Sequence, residues 1–558
     1  MTTNTIINDD SKNHGIEILK QFYNKNIIPH EKKEYITKLE KSVGPYMGIE
    51  APNGETHFLL DAASQIATLG LGFNPLAFFG VAHQPESWCQ LTDTAKLRTH
   101  RKSFENLLTR ELGWQKVATT LCHSGAEANE IALGYCFRRR QNPDAKKVLA
   151  FEGSFHGRMQ ISLSSTWNKA KREPFEWDDF KTIFMPFPKI NHDKINVDYD
   201  ESWPRLWENS NSTSFNSPTA GNDPTLQAEI EILSKTRNEL LKKSIFAVAI
   251  EPMQCEGGDQ YATDRFYCGL LSLARAFGIP VVFDEVQTGY HLGRKFFWHK
   301  QFKLMNSLGE SISPDYIVCA KKAQVGLVIS HCDEKSVEEF SPSSFFRGQI
   351  HALALSQSTL QIESIEEHWR KRLNEFIKNF PQYENPRGRG LAFAFDVKDG
   401  GRVPDIISKR FKFGLLYYPA GERTLRFRLN TAFKKADIDY LFEHLELITS
   451  EVFGGKNETP LEIPFNSKTE LEKIENTYKW HQAILEANFN NQHLLNEDIF
   501  SMFKLSDDES IHLINGRNFD KFEKMIDDLQ KEIYEPKRQT SLKLFKKIAE
   551  QGESICLG

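Results

Sequence analysis

The chain has 558 residues, 40% hydrophobic and 26% charged, with a formal net charge of −5. That length can bury a large core and points to more than one domain. So small a charge excludes strong attraction to nucleic acid or to anionic lipid. The eight cysteines are scattered, with no pair at zinc-ligand or redox spacing, so no metal site is expected. Cys122, Cys136, Cys255, Cys268 and Cys319 fall in apolar contexts and read as reduced core residues. Met1 to Gly15 is polar, and no run of about 18 apolar residues occurs, so neither a signal peptide nor a membrane-spanning helix is expected. A cytoplasmic protein follows, and the glycosylation-like triplets at Asn211 and Asn457 read as chance.

Residues 16–95 read as a helix followed by short strands and turns, among them Phe58-Leu59-Leu60-Asp61 and Leu69–Pro75. Residues 96–330 alternate apolar strand runs with amphipathic helices, the α/β signature. Strands are expected at 117–122, 147–151, 245–250, 280–284 and 315–320. A helix opens at Ala126 directly after Ser124-Gly125, which sets a glycine turn at a helix N-terminus. Residues 208–224 are rich in Asn, Ser, Thr, Pro and Gly and read as a mobile surface insertion. Residues 350–450 contain a long helix, then Arg387-Gly388-Arg389-Gly390 leading into a strand, then Leu425–Leu429. Ser467-Lys468-Thr469-Glu470 is a capping box before Leu471, Ile474 and Tyr478 at helical spacing. Phe519, Phe522, Ile526, Leu529 and Ile533 make a second amphipathic helix, stopped by Pro536, and Leu542, Leu544, Phe545 and Ile548 a third.

Two stretches carry chemistry. An apolar run ending at Phe283 leads into Asp284-Glu285-Val286-Gln287-Thr288-Gly289. Pro314-Asp315-Tyr316-Ile317-Val318-Cys319-Ala320 leads into Lys321-Lys322. An Asp at the end of a buried strand and a Lys at the end of a later one are what pyridoxal phosphate chemistry needs. The lysine forms the Schiff base, and the carboxylate keeps the pyridine nitrogen protonated so that the ring accepts electrons. Strand C-terminal ends are also where open α/β sheets bind ligands.

In this company the chain resembles the class III pyridoxal-phosphate-dependent aminotransferases of fold type I, over roughly residues 40–450. His123-Ser124-Gly125-Ala126-Glu127-Ala128-Asn129-Glu130 is similar to the family's phosphate-cradling turn, and Phe151–Arg158 to its ring-stacking segment. Within the family the likeness is nearest to lysine ε-aminotransferases, on Glu251-Pro252-Met253-Gln254-Cys255-Glu256-Gly257-Gly258-Asp259 and on Lys321-Lys322-Ala323-Gln324-Val325. The resemblance implies a large domain over 96–345 with a mixed, mostly parallel sheet flanked by helices. It implies a smaller α+β domain over 346–453, completed by residues 1–95, which also form the active-site entrance. A helical appendage over 454–558 lies beyond it, with a dimer brace as its plainest role.

The resemblance also assigns roles. Counting from Asp315, the family spacing makes Lys321 the Schiff-base residue. Asp284 pairs with the pyridinium nitrogen and Gln287 donates to the cofactor's phenolic oxygen. Ser124, Gly125 and Ala126 bind the phosphate, Phe155 stacks on the ring, and His156 belongs to the same cofactor segment. Arg158 holds the α-carboxylate of the amino donor. Arg426, with Arg428 as the alternative, takes the 2-oxoglutarate α-carboxylate, and Glu256 pairs with that arginine when no oxo acid is bound. A homodimer follows, because the family completes the phosphate site with a threonine from the partner. Here Phe345 stands in that threonine's place, so Ser344 or Arg347 is expected to substitute. The implied activity is ping-pong transfer of an amino group, from the terminal amine of lysine or a similar ω-amino compound, to 2-oxoglutarate. A lyase, mutase or racemase on the same fold, or a non-catalytic cofactor-binding subunit serving the C-terminal helices, stays open as an alternative.

Overall fold

A computed structural model describes residues 36–50, 56–73, 95–175, 181–331, 348–349, 351–352, 354–455 and 458–461. The appendage helices expected beyond residue 461 lie outside the described residues.

The centre of the fold is a seven-stranded sheet. Its strands are β4 (Ala118–Cys122), β5 (Lys147–Phe151), β6 (Lys181–Met185), β7 (Ile245–Ile250), β8 (Val281–Asp284), β9 (Tyr316–Cys319) and β10 (Gly326–Ser330), in the order β4-β10-β9-β8-β7-β5-β6. Neighbours from β9 to β6 pair in parallel, while β10 runs antiparallel to both β4 and β9. Every residue of β7, β8 and β9 is buried, as expected of parallel strands covered on both faces. Five of the seven strands coincide with the expected runs. The two unexpected ones are β6, a half-exposed edge strand, and β10, which starts at a glycine just past the lysine pair. Helix Gly125–Arg139 covers the sheet with Ala128, Ala132, Leu133, Tyr135 and Cys136, and the wholly buried stretch Asp264–Ala274 covers it with Phe266, Leu270 and Leu273. Cys122, Cys136, Cys255, Cys268 and Cys319 are free and buried.

Two four-stranded sheets flank this centre. One joins β1 (Ile36–Val43), β2 (Tyr46–Glu50) and β3 (Thr56–Asp61) to β13 (Leu415–Leu416). The other has the order β11-β12-β15-β14, from Tyr383–Arg389, Ala392–Val397, Thr424–Arg428 and Tyr418–Ala420. Helix Thr359–Asn379 buries Ile362, Ile365, Trp369, Leu373 and Phe376 at helical spacing. Trp369 stacks on Phe393, which stacks on Phe427 at 4.6 Å. This aromatic column fixes the height of β15 and therefore of its arginines.

The stretch 208–224, expected to be a mobile surface insertion, makes several contacts with the rest of the fold. Arg237 donates to the carbonyls of Ser210 and Ser212, Phe215 packs on Trp207, and Ala220 joins the core. Its polar composition reflects a surface path, anchored by one half-buried arginine fork and one aromatic contact. Among the described residues no helix is long and apolar enough to cross a membrane.

Candidate active site

Strands β4, β5, β7, β8 and β9 run in one direction, so the segments leaving their C-terminal ends converge on one edge. A cavity of about 530 Å³ opens there. It is lined by Ser124, Gly125 and Ala126 after β4, by Phe155, His156 and Arg158 after β5, by Asp284 at the end of β8, and by Lys321 after β9. Eight of the expected site residues, from four separate segments, thus face one space.

Ser124 caps helix Gly125–Arg139 in a reciprocal box. Its hydroxyl accepts from Glu127 N at 3.2 Å, and Glu127 Oε2 accepts from the Ser124 hydroxyl and from His123 N. The first N–H groups of a helix have no intrahelical partner and carry partial positive charge. They form a seat for an anion such as phosphate. A Cβ on Gly125 would lie 2.7 Å from the Val286 methyls, so only glycine lets this turn pack against the segment leaving β8.

Asp284 is buried and held on both oxygens. Oδ2 accepts from Asn129 Nδ2 and faces His156 Nδ1, each at 2.8 Å, and Oδ1 accepts from Val286 N. Asn129 also donates to the His156 carbonyl, so one amide ties the helix, the β5 segment and the carboxylate together. Behind it lies Glu251, whose oxygens accept from Phe155 N and Cys255 N. Burial first, and the Asp284 charge second, hold the Glu251 carboxyl well above the usual carboxylate range.

The two lysines separate. Lys321 lines the cavity, and among the described residues its amine has no hydrogen-bond partner; burial pushes its pKa down to about 8. Lys322 points the other way and donates to the Gln287 carbonyl at 2.9 Å; burial, with Arg428 and Lys321 adding to it, pushes its pKa down to about 7. A backbone twist divides them. Lys321 has φ +52° and Gln324 φ +57°, left-handed conformations that cost a non-glycine residue about 1–2 kcal/mol each. The Gln324 side chain ties down the turn by donating to Thr68 O and Lys321 O.

The arginines also sort themselves. Arg428 is 2% exposed and locked in a fork on Asp259, at 2.6 and 2.7 Å, with Nε on Gln287 Oε1. Its Nη1 also donates to the Phe427 carbonyl, so four of its five N–H groups are committed inside the fold, which makes it a poorer carboxylate seat than Arg426. Gln287 does not line the cavity, and with its amide oxygen taken by Arg428 its amide nitrogen remains as donor. Arg426 donates to the Cys255 carbonyl at 2.9 Å, and burial lowers its pKa. The expected pair between Glu256 and Arg426 is not formed. Glu256 pairs with Lys171 instead, because the turn after β7 presents the Cys255 carbonyl to Arg426. Arg158 is exposed and has no partner among the described residues; it also borders a second cavity of about 610 Å³ with Met159, Leu163, Lys171 and Phe175. Ser344, Phe345 and Arg347 lie outside the described residues.

A family model described as class-III aminotransferase matches residues 27–449. The chain belongs to the class-III aminotransferases. A 4-aminobutyrate aminotransferase of Saccharomyces cerevisiae is 27% identical over 468 residues, 75% of this chain and 91% of that protein. An L-lysine-epsilon aminotransferase of Mycobacterium tuberculosis is 26% identical over 441 residues, 73% of this chain and 90% of that one. The solved lysine aminotransferase of Mycobacterium tuberculosis superposes with a TM-score of 0.61 at 21% identity, covering 78% of this chain and 99% of that chain. The fold of this class-III aminotransferase is therefore the fold type I architecture.

Class-III aminotransferases depend on pyridoxal phosphate, and the residues of this aminotransferase fit that group. An unpartnered lysine amine, a fixed carboxylate and a helix N-terminus kept open by glycine share one cavity. Sequence reading missed Asn129, Glu251, Gln324 and Lys171 as parts of this site. Asn129, Glu251 and Gln324 stood inside quoted motifs, but their roles depend on carboxylate and amide contacts made across distant segments.

Proposed function

We propose that this aminotransferase moves the terminal amino group of lysine, or of a similar ω-amino compound, to 2-oxoglutarate in two alternating half-reactions. The observation that carries the proposal is a pair of arginines without carboxylate partners among the described residues: Arg158 on the cavity wall, and Arg426 near enough to the Lys321 amine to help lower its pKa. Two carboxylate seats suit a donor acid and a dicarboxylic acceptor, and each arginine fork can bind a carboxylate through two parallel bonds.

Bound pyridoxal phosphate would supply an electron-withdrawing ring that takes up the electrons left when the substrate carbon loses its proton. Ser124, Gly125 and Ala126 would hold its phosphate, with Ser344 or Arg347 contributing from a second subunit of a homodimer. Phe155 and His156 would face the ring, and Gln287 Nε2 its phenolic oxygen. Asp284, oriented by Asn129 and His156, would hold a proton on the ring nitrogen. Lys321 Nζ would carry a proton away from the substrate carbon and return it. Its lowered pKa puts an appreciable neutral fraction at neutral pH, as a general base requires.

The test is a panel of donors, including lysine, ornithine and 4-aminobutyrate, each with 2-oxoglutarate, read by glutamate release. Lysine or a near relative should bleach the bound chromophore, and 2-oxoglutarate should restore it. Bleaching without any glutamate would refute the acceptor. Turnover with α-amino donors alone would refute the ω-amino assignment.

A further inference from the structure

The turn after β7 carries two carboxylates, Glu256 and Asp259, within reach of three cations. Asp259 is held by the Arg428 fork, one bond to each oxygen. Glu256 pairs with Lys171, which rises from the helical turn Lys169–Arg172 and also lies 5.0 Å from the Phe155 ring centroid. Arg426 is left with a neutral carbonyl, that of Cys255, although its backbone partner is the residue next to Glu256. A largely buried guanidinium without an anion favours any carboxylate that can reach it.

From this arrangement we infer that Lys171 is a specificity-determining residue. It competes with Arg426 for Glu256 and so keeps Arg426 open to the carboxylate of a dicarboxylic oxo acid. The inference rests on the reading that Arg426 seats the oxo acid. Lys171 can do this because it approaches Glu256 from the β5 side of the cavity, whereas Arg426 approaches from β15. Its ammonium is braced by the Phe155 face, a cation–π contact that limits how far it strays. Without Lys171, Glu256 would be free to turn onto Arg426 and would have to be displaced each time an oxo acid binds. Lys171 is therefore a positioning residue, acting through Glu256 on the arginine.

The experiment uses the full-length holoenzyme and glutarate, a dicarboxylate that cannot react, so that binding is read without turnover. Lys171→Met should weaken glutarate about five- to tenfold, the effect of giving an arginine a competing internal ion pair. It should raise the KM for 2-oxoglutarate by more than the KM for the amino donor, with kcat less affected. Lys171→Arg, which retains the charge, should behave like the parent. In a Glu256→Gln background, Lys171→Met should have no further effect on glutarate. A weakening that persists in that background would mean Lys171 touches the ligand directly, and unchanged glutarate affinity in the single variant would mean it does nothing; either overturns the inference. Arg426→Ala separates the underlying reading. If it leaves glutarate binding intact, the oxo-acid seat is elsewhere. If it abolishes binding while Lys171→Met does not alter it, only the role of Lys171 fails.

Discussion

Replacing Lys322 with methionine should stabilise the enzyme, and by an amount that depends on pH. The lysine is 1% exposed, its amine has one carbonyl partner, and its pKa falls from 10.5 to about 7. At about 1.4 kcal/mol per pH unit, that shift corresponds to roughly 5 kcal/mol of strain when the amine is protonated. Losing the bond to Gln287 O returns about 1 kcal/mol, and imperfect packing of the thioether another 1 or so. The stem lies against Gly70, where an added Cβ would come within 3.1 Å of it, so an unbranched side chain of equal length is the right substitute. The net gain expected below about pH 7 is roughly 2–3 kcal/mol. The sign follows from proton binding. Below pH 7 the lysine is charged in both states, and the fold bears the whole cost. Between about 7 and 10.5 the unfolded chain keeps a proton that the folded chain has released, so the parent gains stability with rising pH. The advantage of Lys322→Met should therefore shrink steadily over that window. Urea midpoints for parent and variant, at about pH 6.5 and about pH 9.5, measure it. A variant that is less stable at the lower pH, or a difference that does not change with pH, would refute the reasoning. The same variant should keep its chromophore, whereas Lys321→Ala should not.

Borohydride reduction and peptide mapping should place the cofactor on Lys321, and a label on Lys322 would sink that assignment. Arg158→Ala should weaken the amino-donor half-reaction more than the oxo-acid half-reaction, and Arg426→Ala the reverse, each by about 1.5–3 kcal/mol or roughly 10- to 100-fold; equal losses in both would show that the roles are not divided this way. Asp259→Asn removes the carboxylate from a buried fork on Arg428 and should cost about 3–5 kcal/mol, seen as a lower thermal midpoint; an unchanged midpoint would refute it. Sedimentation should give a homodimer, and a fully active monomer would exclude a phosphate site shared between subunits.

Much of this protein could be read from the chain in order. The runs at 245–250, 281–284 and 316–319 are apolar throughout, and a strand buried on both faces permits nothing else, so the sheet and the edge that carries the site were legible. The glycine turn at Ser124-Gly125-Ala126 was legible as a helix start, while its role as an anion seat came from the family resemblance. Local composition could not show which of two adjacent lysines faces the cavity. That depends on the left-handed turn at Lys321, which the returning strand β10 imposes. It could not show which arginine stays open, since Arg428 is neutralised by a carboxylate 169 positions away and Glu256 is claimed by a lysine 85 positions away. Periodicity places a side chain on a face of its own element. The choice of ion-pair partner is made only when folding brings distant elements together, because charge pairing depends on distance through space and on burial.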